Sequence, residues 1–255
     1  MNPEETAAVT QFLFITDLDH TLVGDDEAMA QLNEALHQHR ESHGTKIVYS
    51  TGRSPTLYQQ LLSEKPLLPP DAVVTGVGTA ITYQDGSPDP LWWEKLSSGW
   101  SRDRVMATVA HFADLELQPA EEQNEFKASY FLDEAIAADL LPELEAALQS
   151  QDLQINLVYS GSRHLDILPR SANKGLAMVF LRQQWGFEPA RTVACGDSGN
   201  DLSMFAIGEE RGIIVGNAMP ELRQWHEENL APHRYLASAP CAGGILEGLS
   251  HFGFL

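Results

Sequence analysis

The stretch Phe12-Leu13-Phe14-Ile15-Thr16-Asp17-Leu18-Asp19-His20-Thr21 decides the fold. An apolar run of strand length breaks off into two aspartates one residue apart. Such a run suits a parallel strand covered on both faces, and open α/β sheets gather their ligands just beyond the carboxyl ends of these strands. Asp17 and Asp19 are therefore expected at a site. Taken alone, the pair serves equally well as turn or capping residues, because Asp favours both.

Three later segments shift that balance. Ile47-Val48-Tyr49-Ser50-Thr51-Gly52-Arg53 is a second apolar strand, ending in a hydroxyl, a glycine and a cation. The combination suits a phosphate: Thr51 donates from its side chain, Gly52 admits close backbone approach, and Ser54-Pro55 reads as the N-cap and first residue of a helix. Ser171-Ala172-Asn173-Lys174-Gly175 opens another helical pattern with Lys174 in its first turn, where a cation opposes the helix dipole and needs a reason. Thr192-Val193-Ala194-Cys195-Gly196-Asp197-Ser198-Gly199-Asn200-Asp201 is a third strand, ending in carboxylates dense enough for a divalent metal.

The charge balance narrows the function. With 36 acidic against 16 basic residues the net charge is −20, which repels nucleic acid and anionic membrane surfaces. An anionic substrate must then be drawn in locally, by a metal ion and a few placed cations. Cys195 and Cys241 fit neither a disulfide framework nor a metal knuckle, and a reducing cytoplasm is expected. Met1-Asn2-Pro3-Glu4-Glu5 lacks the basic region of a signal peptide, and no apolar run approaches a membrane span.

From residue 12 to 83 strands alternate with helices: Asp25 or Asp26 caps a helix carrying Met29, Leu32 and Leu36 that ends before Gly44, and Ala72-Val73-Val74 is a further strand. The turn-rich stretch Tyr83-Gln84-Asp85-Gly86-Ser87-Pro88-Asp89-Pro90 marks an exit from this rhythm. Beyond it are expected a helix from about Arg102, a strand from Lys127 to Leu132, a helix with Leu140, Leu144 and Leu148, and two strands, 155–160 and 164–168. Pro142 fits best in the first turn of that second helix, which would leave Ile136 in a separate turn. From Lys174 the α/β rhythm returns, with Gly212–Val215 as a strand and a helix opened by Pro220. The expected architecture is α/β: a doubly wound parallel-sheet core from residues 1–83 and 171–255, and an inserted smaller α+β cap domain, 84–170, acting as a lid.

In this order the segments resemble the four motifs of the haloacid dehalogenase superfamily of phosphohydrolases, and the insert resembles the type 2 cap of its Cof-like branch. Within that branch the chain is similar to the sucrose-phosphate phosphatases. Ser50 to Arg53, Glu122-Gln123-Asn124 with Lys127 and Ser129-Tyr130, Asp166 to Pro169, Asn173-Lys174-Gly175, Cys195 to Asp201 and Gly243 to Glu247 carry the likeness. The resemblance implies hydrolysis of sucrose 6-phosphate through an aspartyl-phosphate, completing sucrose synthesis. Asp17 would be the nucleophile and Asp19 the general acid and base. Mg²⁺ would be held by Asp17, the Asp19 carbonyl and Asp197, with Asp201 as a ligand or as an orienter of bound water. Thr51, Gly52, Arg53, Lys174 and Asn200 would hold the phosphoryl group.

Substrate choice belongs to the cap, where Asn124, Lys127, Ser160, Ser162, Arg163, His164 and Asp166 offer the hydrogen bonds a polyol needs. Trp92, Trp93 and Trp100 are expected as core rather than as sugar platforms. A monomer binding a small sugar phosphate is expected, with a sucrose-phosphate synthase as an alternative partner. Rival readings are a phosphatase for mannosylfructose phosphate or glucosylglycerol phosphate, a phosphomutase, and a non-catalytic sugar-phosphate sensor.

Overall fold

The computed structural model describes residues 11–255; Met1–Glu5, read above for a signal peptide, lies outside them. The first segment runs β1 (Leu13–Thr16), α1 (Asp26–His43), β2 (Lys46–Ser50), α2 (Pro55–Glu64), β3 (Ala72–Thr75) and β4 (Ala80–Tyr83). Asp25 caps α1 by accepting from the Ala28 N–H at 3.0 Å, and Gly44 ends it in the left-handed region at φ 77°. Ser54 and Pro55 open α2 as expected. The middle segment runs α3 (Pro90–Ser97), α4 (Arg102–Val109), β5 (Glu116–Leu117), β6 (Ala128–Phe131), α5 (Glu134–Gln149), β7 (Ile155–Ser160) and β8 (His164–Pro169). The last runs α6 (Lys174–Gln184), β9 (Thr192–Gly196), α7 (Leu202–Ala206), β10 (Arg211–Ile214), α8 (Pro220–Glu228), β11 (Arg234–Leu236) and α9 (Cys241–His251).

Two sheets result. The larger has the order β11-β10-β9-β1-β2-β3-β4, parallel except for the edge strand β4. β1 sits at its centre, with Ile15 opposite Val48 of β2 on one side and Ala194 of β9 on the other. Period-two alternation explains why this strand reads as a continuous apolar run. Leu13 and Ile15 enter the core on one face and Phe12 and Phe14 the core on the other, all fully buried. Burial of each such side chain stabilises by about 1.5–3 kcal/mol.

The smaller sheet is antiparallel, in the order β5-β6-β8-β7. One face packs on α4 and α5 through Ala128, Tyr130, Leu165 and Ile167 against Val105, Val109, Leu140, Leu144 and Leu148. Its other face turns toward the ends of β1 and β9.

Two local expectations fail. Pro142 lies inside α5, which runs unbroken from its cap at Asp133. Proline there forgoes the bond to the Ala138 carbonyl, yet the stripe of Ala137, Leu140, Leu144 and Leu148 spans it, and burial of that stripe outweighs the lost bond. α3 follows the exit stretch but packs on the larger sheet, burying Trp92 and Leu96 beside Leu13 and Ile15. Trp92 is core as expected, Trp100 is partly buried, and Trp93 is exposed with its ring edge-on to Phe126.

Candidate active site

β1 and β9 end side by side, and their parallel pairing continues one step as the Asp17 N–H bonds the Cys195 carbonyl at 3.0 Å. This is where the sheet's strand order reverses direction, the place at which open α/β sheets leave a crevice. Asp17 and Asp197 reach into it from the two strand ends. Gly196 is required between them, because a Cβ there would lie 2.5 Å from that of Asp201.

Lys174 answers the question its position raised. It is fully buried, and its Nζ donates to Asp17 Oδ1 and to Asp201 Oδ1, each at 2.6 Å. Burial alone would pull the ammonium down, but these two carboxylates outweigh it and raise the pKa above the usual lysine value. Asp201 has no free oxygen: Oδ2 accepts from the Asp197 and Ser198 N–H groups, both at 3.0 Å. Ser198 caps the short turn that carries Asp201. Asp197 Oδ1 accepts from the Thr21 hydroxyl at 3.2 Å.

The acidic groups outnumber their cation. Asp17, Asp197 and Asp201 each bring an oxygen within 4.8 Å of the others. Burial first, then repulsion from Asp201, pushes Asp197 up to about 8; burial pushes Asp17 up to about 7 against the pull of Lys174. A buried acidic triad with one lysine is a site that could bind a metal ion.

A cavity of about 430 Å³ lies over these groups, with the inner face of the smaller sheet as its roof. Its lining joins Asp17, Asp19, Gly52, Arg53, Asp197 and Asn200 on one wall to Lys127, Ser160, His164 and Asp166 on the other. Thr51, Lys174 and Asp201 lie beneath it, fully buried. Thr51 Oγ1 accepts from the Arg53 N–H at 3.1 Å. On the roof, Lys127 Nζ stands 3.4 Å from Asp166 Oδ1 and 3.5 Å from Glu122 Oε2, and Ser129 donates to Asp166 at 2.6 Å.

Four residues go elsewhere than expected. Arg53 chelates Asp19, with Nε donating to Oδ2 at 2.8 Å and one Nη to Oδ1 at 2.7 Å, so its fork is committed to a carboxylate and not held open for a phosphate. Ser162 and Arg163 sit in the hairpin turn, where alternation lapses; Ser162 donates to Glu134 and Arg163 stacks over Phe131. Asn124 donates to the Thr79 hydroxyl at 2.9 Å and accepts from the Phe126 N–H at 2.8 Å. His20, Gln118, Glu122, Val77 and Met219 line the cavity without having been singled out. His20 follows Asp19 and Glu122 precedes Asn124 by two residues, but nothing in their spacing marks them as cavity residues.

Residues 10–253 match the family model for sucrose-6F-phosphate phosphohydrolase. The chain belongs to that family. Among relatives of the sucrose-6F-phosphate phosphohydrolase family, the probable sucrose-phosphatase 2 of Arabidopsis thaliana is 39% identical over 98% of this chain and 61% of that protein. The mannosylfructose-phosphate phosphatase of Agrobacterium fabrum (strain C58) is 37% identical over 94% of this chain and 96% of that protein. The crystal structure of the sucrose-phosphatase from Synechocystis sp. PCC6803 in complex with sucrose and phosphate superposes with a TM-score of 0.91, at 37% identity, covering 96% of this chain and 99% of that one. The chain thus spans about three fifths of the length of the plant sucrose-phosphatases it matches and nearly all of the two bacterial relatives.

Proposed function

We propose that the protein is a Mg²⁺-dependent phosphatase that releases sucrose and phosphate from sucrose 6-phosphate by way of an aspartyl-phosphate on Asp17. One observation carries this reading. Asp17 faces a cavity with a buried lysine at 2.6 Å and a second aspartate, Asp19, on the same wall.

The residues fit a hard divalent cation. Three buried carboxylates share one ammonium, and burial first, then their mutual repulsion, raises Asp17 and Asp197, a cost that a bound cation would relieve. Asp17, Asp197 and the Asp19 carbonyl would hold the ion; Asp201, with both oxygens spent on Lys174 and two N–H groups, is the orienting member of the set. When bound, the cation neutralises charge on the phosphoryl oxygens.

The chain supplies the remaining chemistry. Asp17 uses the oxygen that Lys174 leaves free to attack phosphorus, forming the aspartyl-phosphate while the bond to the sugar oxygen breaks. Asp19 gives its proton to that oxygen, then takes one from the water that hydrolyses the intermediate. Arg53, which here holds both Asp19 oxygens, must release one of them for that transfer. Lys174, the Thr51 hydroxyl, the Gly52 backbone and Asn200 stabilise the phosphoryl oxygens. The roof binds the sugars: Lys127, Ser160, His164 and Asp166 present donors and acceptors, as do Glu122 and Gln118. This reading places the cap within 84–170, less α3 (Pro90–Ser97), whose packing puts it with the core.

The identity to the mannosylfructose-phosphate phosphatase supports a second substrate. Phosphate release with Mg²⁺ from sucrose 6-phosphate, mannosylfructose phosphate, glucose 6-phosphate and fructose 6-phosphate separates the two. Preference for sucrose 6-phosphate is expected. Faster release from mannosylfructose phosphate would move the assignment to that sugar, and no release from any of them by folded protein would remove the phosphatase reading.

A further inference from the structure

Between β3 and β4 the chain passes through Gly76-Val77-Gly78-Thr79, a segment to which neither the motifs nor the proposed chemistry gives a part. Three successive residues are left-handed, Gly76 at φ 58°, Val77 at 59° and Gly78 at 95°. A β-branched residue rarely adopts that conformation, so Val77 is held in it by its surroundings.

Those surroundings are the phosphate-binding parts themselves. The Gly76 N–H bonds the Arg53 carbonyl at 2.9 Å and the Val77 N–H bonds the Thr51 carbonyl at 3.1 Å, so the segment splints the loop that carries Thr51, Gly52 and Arg53. Gly78 lies against the backbone of Asn173, the cap residue of the helix that presents Lys174; a Cβ there would come within 2.5 Å of the Asn173 carbonyl. The Trp92 indole N–H fixes the Gly78 carbonyl from the other side at 3.0 Å. Val77 lines the cavity, with its methyl 3.8 Å from a Cβ built on Gly52.

One side-chain bond joins this splint to the smaller sheet. The Thr79 hydroxyl donates to the Gly76 carbonyl at 2.8 Å and accepts from Asn124 Nδ2 at 2.9 Å. Asn124 in turn pairs with Lys127, the cation of the roof, through reciprocal backbone bonds at 3.2 and 3.3 Å. A continuous path therefore runs from Lys127 through Asn124 and Thr79 to Gly76 and on to Thr51 and Arg53.

We propose that Thr79 and Asn124 are positioning residues, a latch that ties the sugar-binding wall to the phosphate-binding loop when the cavity is closed. The latch rests on the phosphatase reading above only for its kinetic consequence. Formed, it fixes the loop while Lys127 engages sugar; broken, the roof no longer supports the loop, and sugar binding ceases to align the phosphoryl group. A small ester that does not reach the roof draws little on this support.

The test is a double-mutant cycle of Thr79→Val and Asn124→Ala, with Thr79→Ser as the conservative variant. Each single variant is expected to raise the KM for sucrose 6-phosphate about 3–10-fold, in keeping with one hydrogen bond. Loss on p-nitrophenyl phosphate should be at least threefold smaller. The double variant should be no worse than the poorer single one, and Thr79→Ser should stay close to wild type. Equal losses on both esters, or single effects that multiply in the double variant, would overturn the latch. Small-angle scattering of the same proteins needs no substrate: the latch predicts a larger radius of gyration for Thr79→Val and Asn124→Ala than for wild type, and superimposable profiles would overturn it. If wild-type protein hydrolyses p-nitrophenyl phosphate but none of the sugar phosphates, the substrate reading fails, and the scattering still decides the latch.

Discussion

The two walls of the cavity are built on different principles. On the core side, the charged groups are spent on one another: Lys174 is shared by Asp17 and Asp201, Asp201 has both oxygens occupied, and Arg53 holds Asp19 from two directions. On the cap side, Lys127 stands 3.4–3.5 Å from its acidic neighbours, and His164 is exposed at a strand end. A wall whose charged groups are mostly spent on one another, with one Asp17 oxygen left over, suits a step that must be aligned once and kept; a wall with looser partners suits a ligand that brings its own hydroxyls. The difference assigns chemistry to the core and selection to the cap, and each expected outcome below breaks or sharpens that division.

The largest effects belong to the core. Asp19→Asn should lower kcat by roughly 10²–10⁴-fold on sucrose 6-phosphate, the range of general acid–base catalysis, and by less on p-nitrophenyl phosphate, whose leaving group needs no proton. A near-wild-type kcat on sucrose 6-phosphate would remove Asp19 from proton transfer. Lys174→Met strands two carboxylates beneath the cavity and should cost about 3–5 kcal/mol of stability by denaturant unfolding, together with activity. An unchanged midpoint would show that the pairing contributes nothing to the fold.

The cap variant is expected to separate substrates. Lys127→Met should raise the KM for sucrose 6-phosphate roughly 10–100-fold, as for a lost hydrogen bond to a charged group. Turnover of p-nitrophenyl phosphate should change far less. Parallel losses on both would dissolve the distinction between the walls.

These differences also explain what could be read from sequence. The core wall was legible because each group sits at a strand end or in a first helical turn, where residue type and backbone position are tied: Asp17 after β1, Asp197 after β9, Lys174 after its Asn173 cap. The cap wall was legible in part. On β8 the alternation sends Leu165 and Ile167 into the helices and leaves Asp166 toward the cavity, a period-two signal. Beyond the strands it fails, and the turn residues Ser162 and Arg163, polar as they are, do not line the cavity. Arg53 and Asn124 show a further limit. A cation beside glycine and threonine suits a phosphate, and an amide beside a lysine suits a sugar; nothing in their spacing reveals that a carboxylate or a threonine from another loop has already claimed them.

The smallest effect is one of pH. Without a divalent cation the folded protein keeps protons on Asp17 and Asp197 up to about 7 and about 8, whereas the unfolded chain releases them near 3.8. The folded state therefore binds more protons between those limits, and stability should fall as pH rises from about 4 to about 8. With chelator present, the melting temperature is expected to drop by on the order of 10 °C between pH 5.5 and 8 from these groups. Saturating Mg²⁺ replaces the protons and should flatten that slope. The same slope with and without Mg²⁺ would mean that the ion does not bind among these carboxylates.

The central claim is that Asp17 carries the chemistry in a metal-supported core wall. The most direct measurement is phosphate release from sucrose 6-phosphate by wild-type and Asp17→Asn protein, each with Mg²⁺ and with chelator. Release by wild type with Mg²⁺ is expected, with a fall of at least ~10⁴-fold in the variant, as for loss of a nucleophile, and little release under chelation. Substantial turnover by folded Asp17→Asn protein would contradict the account.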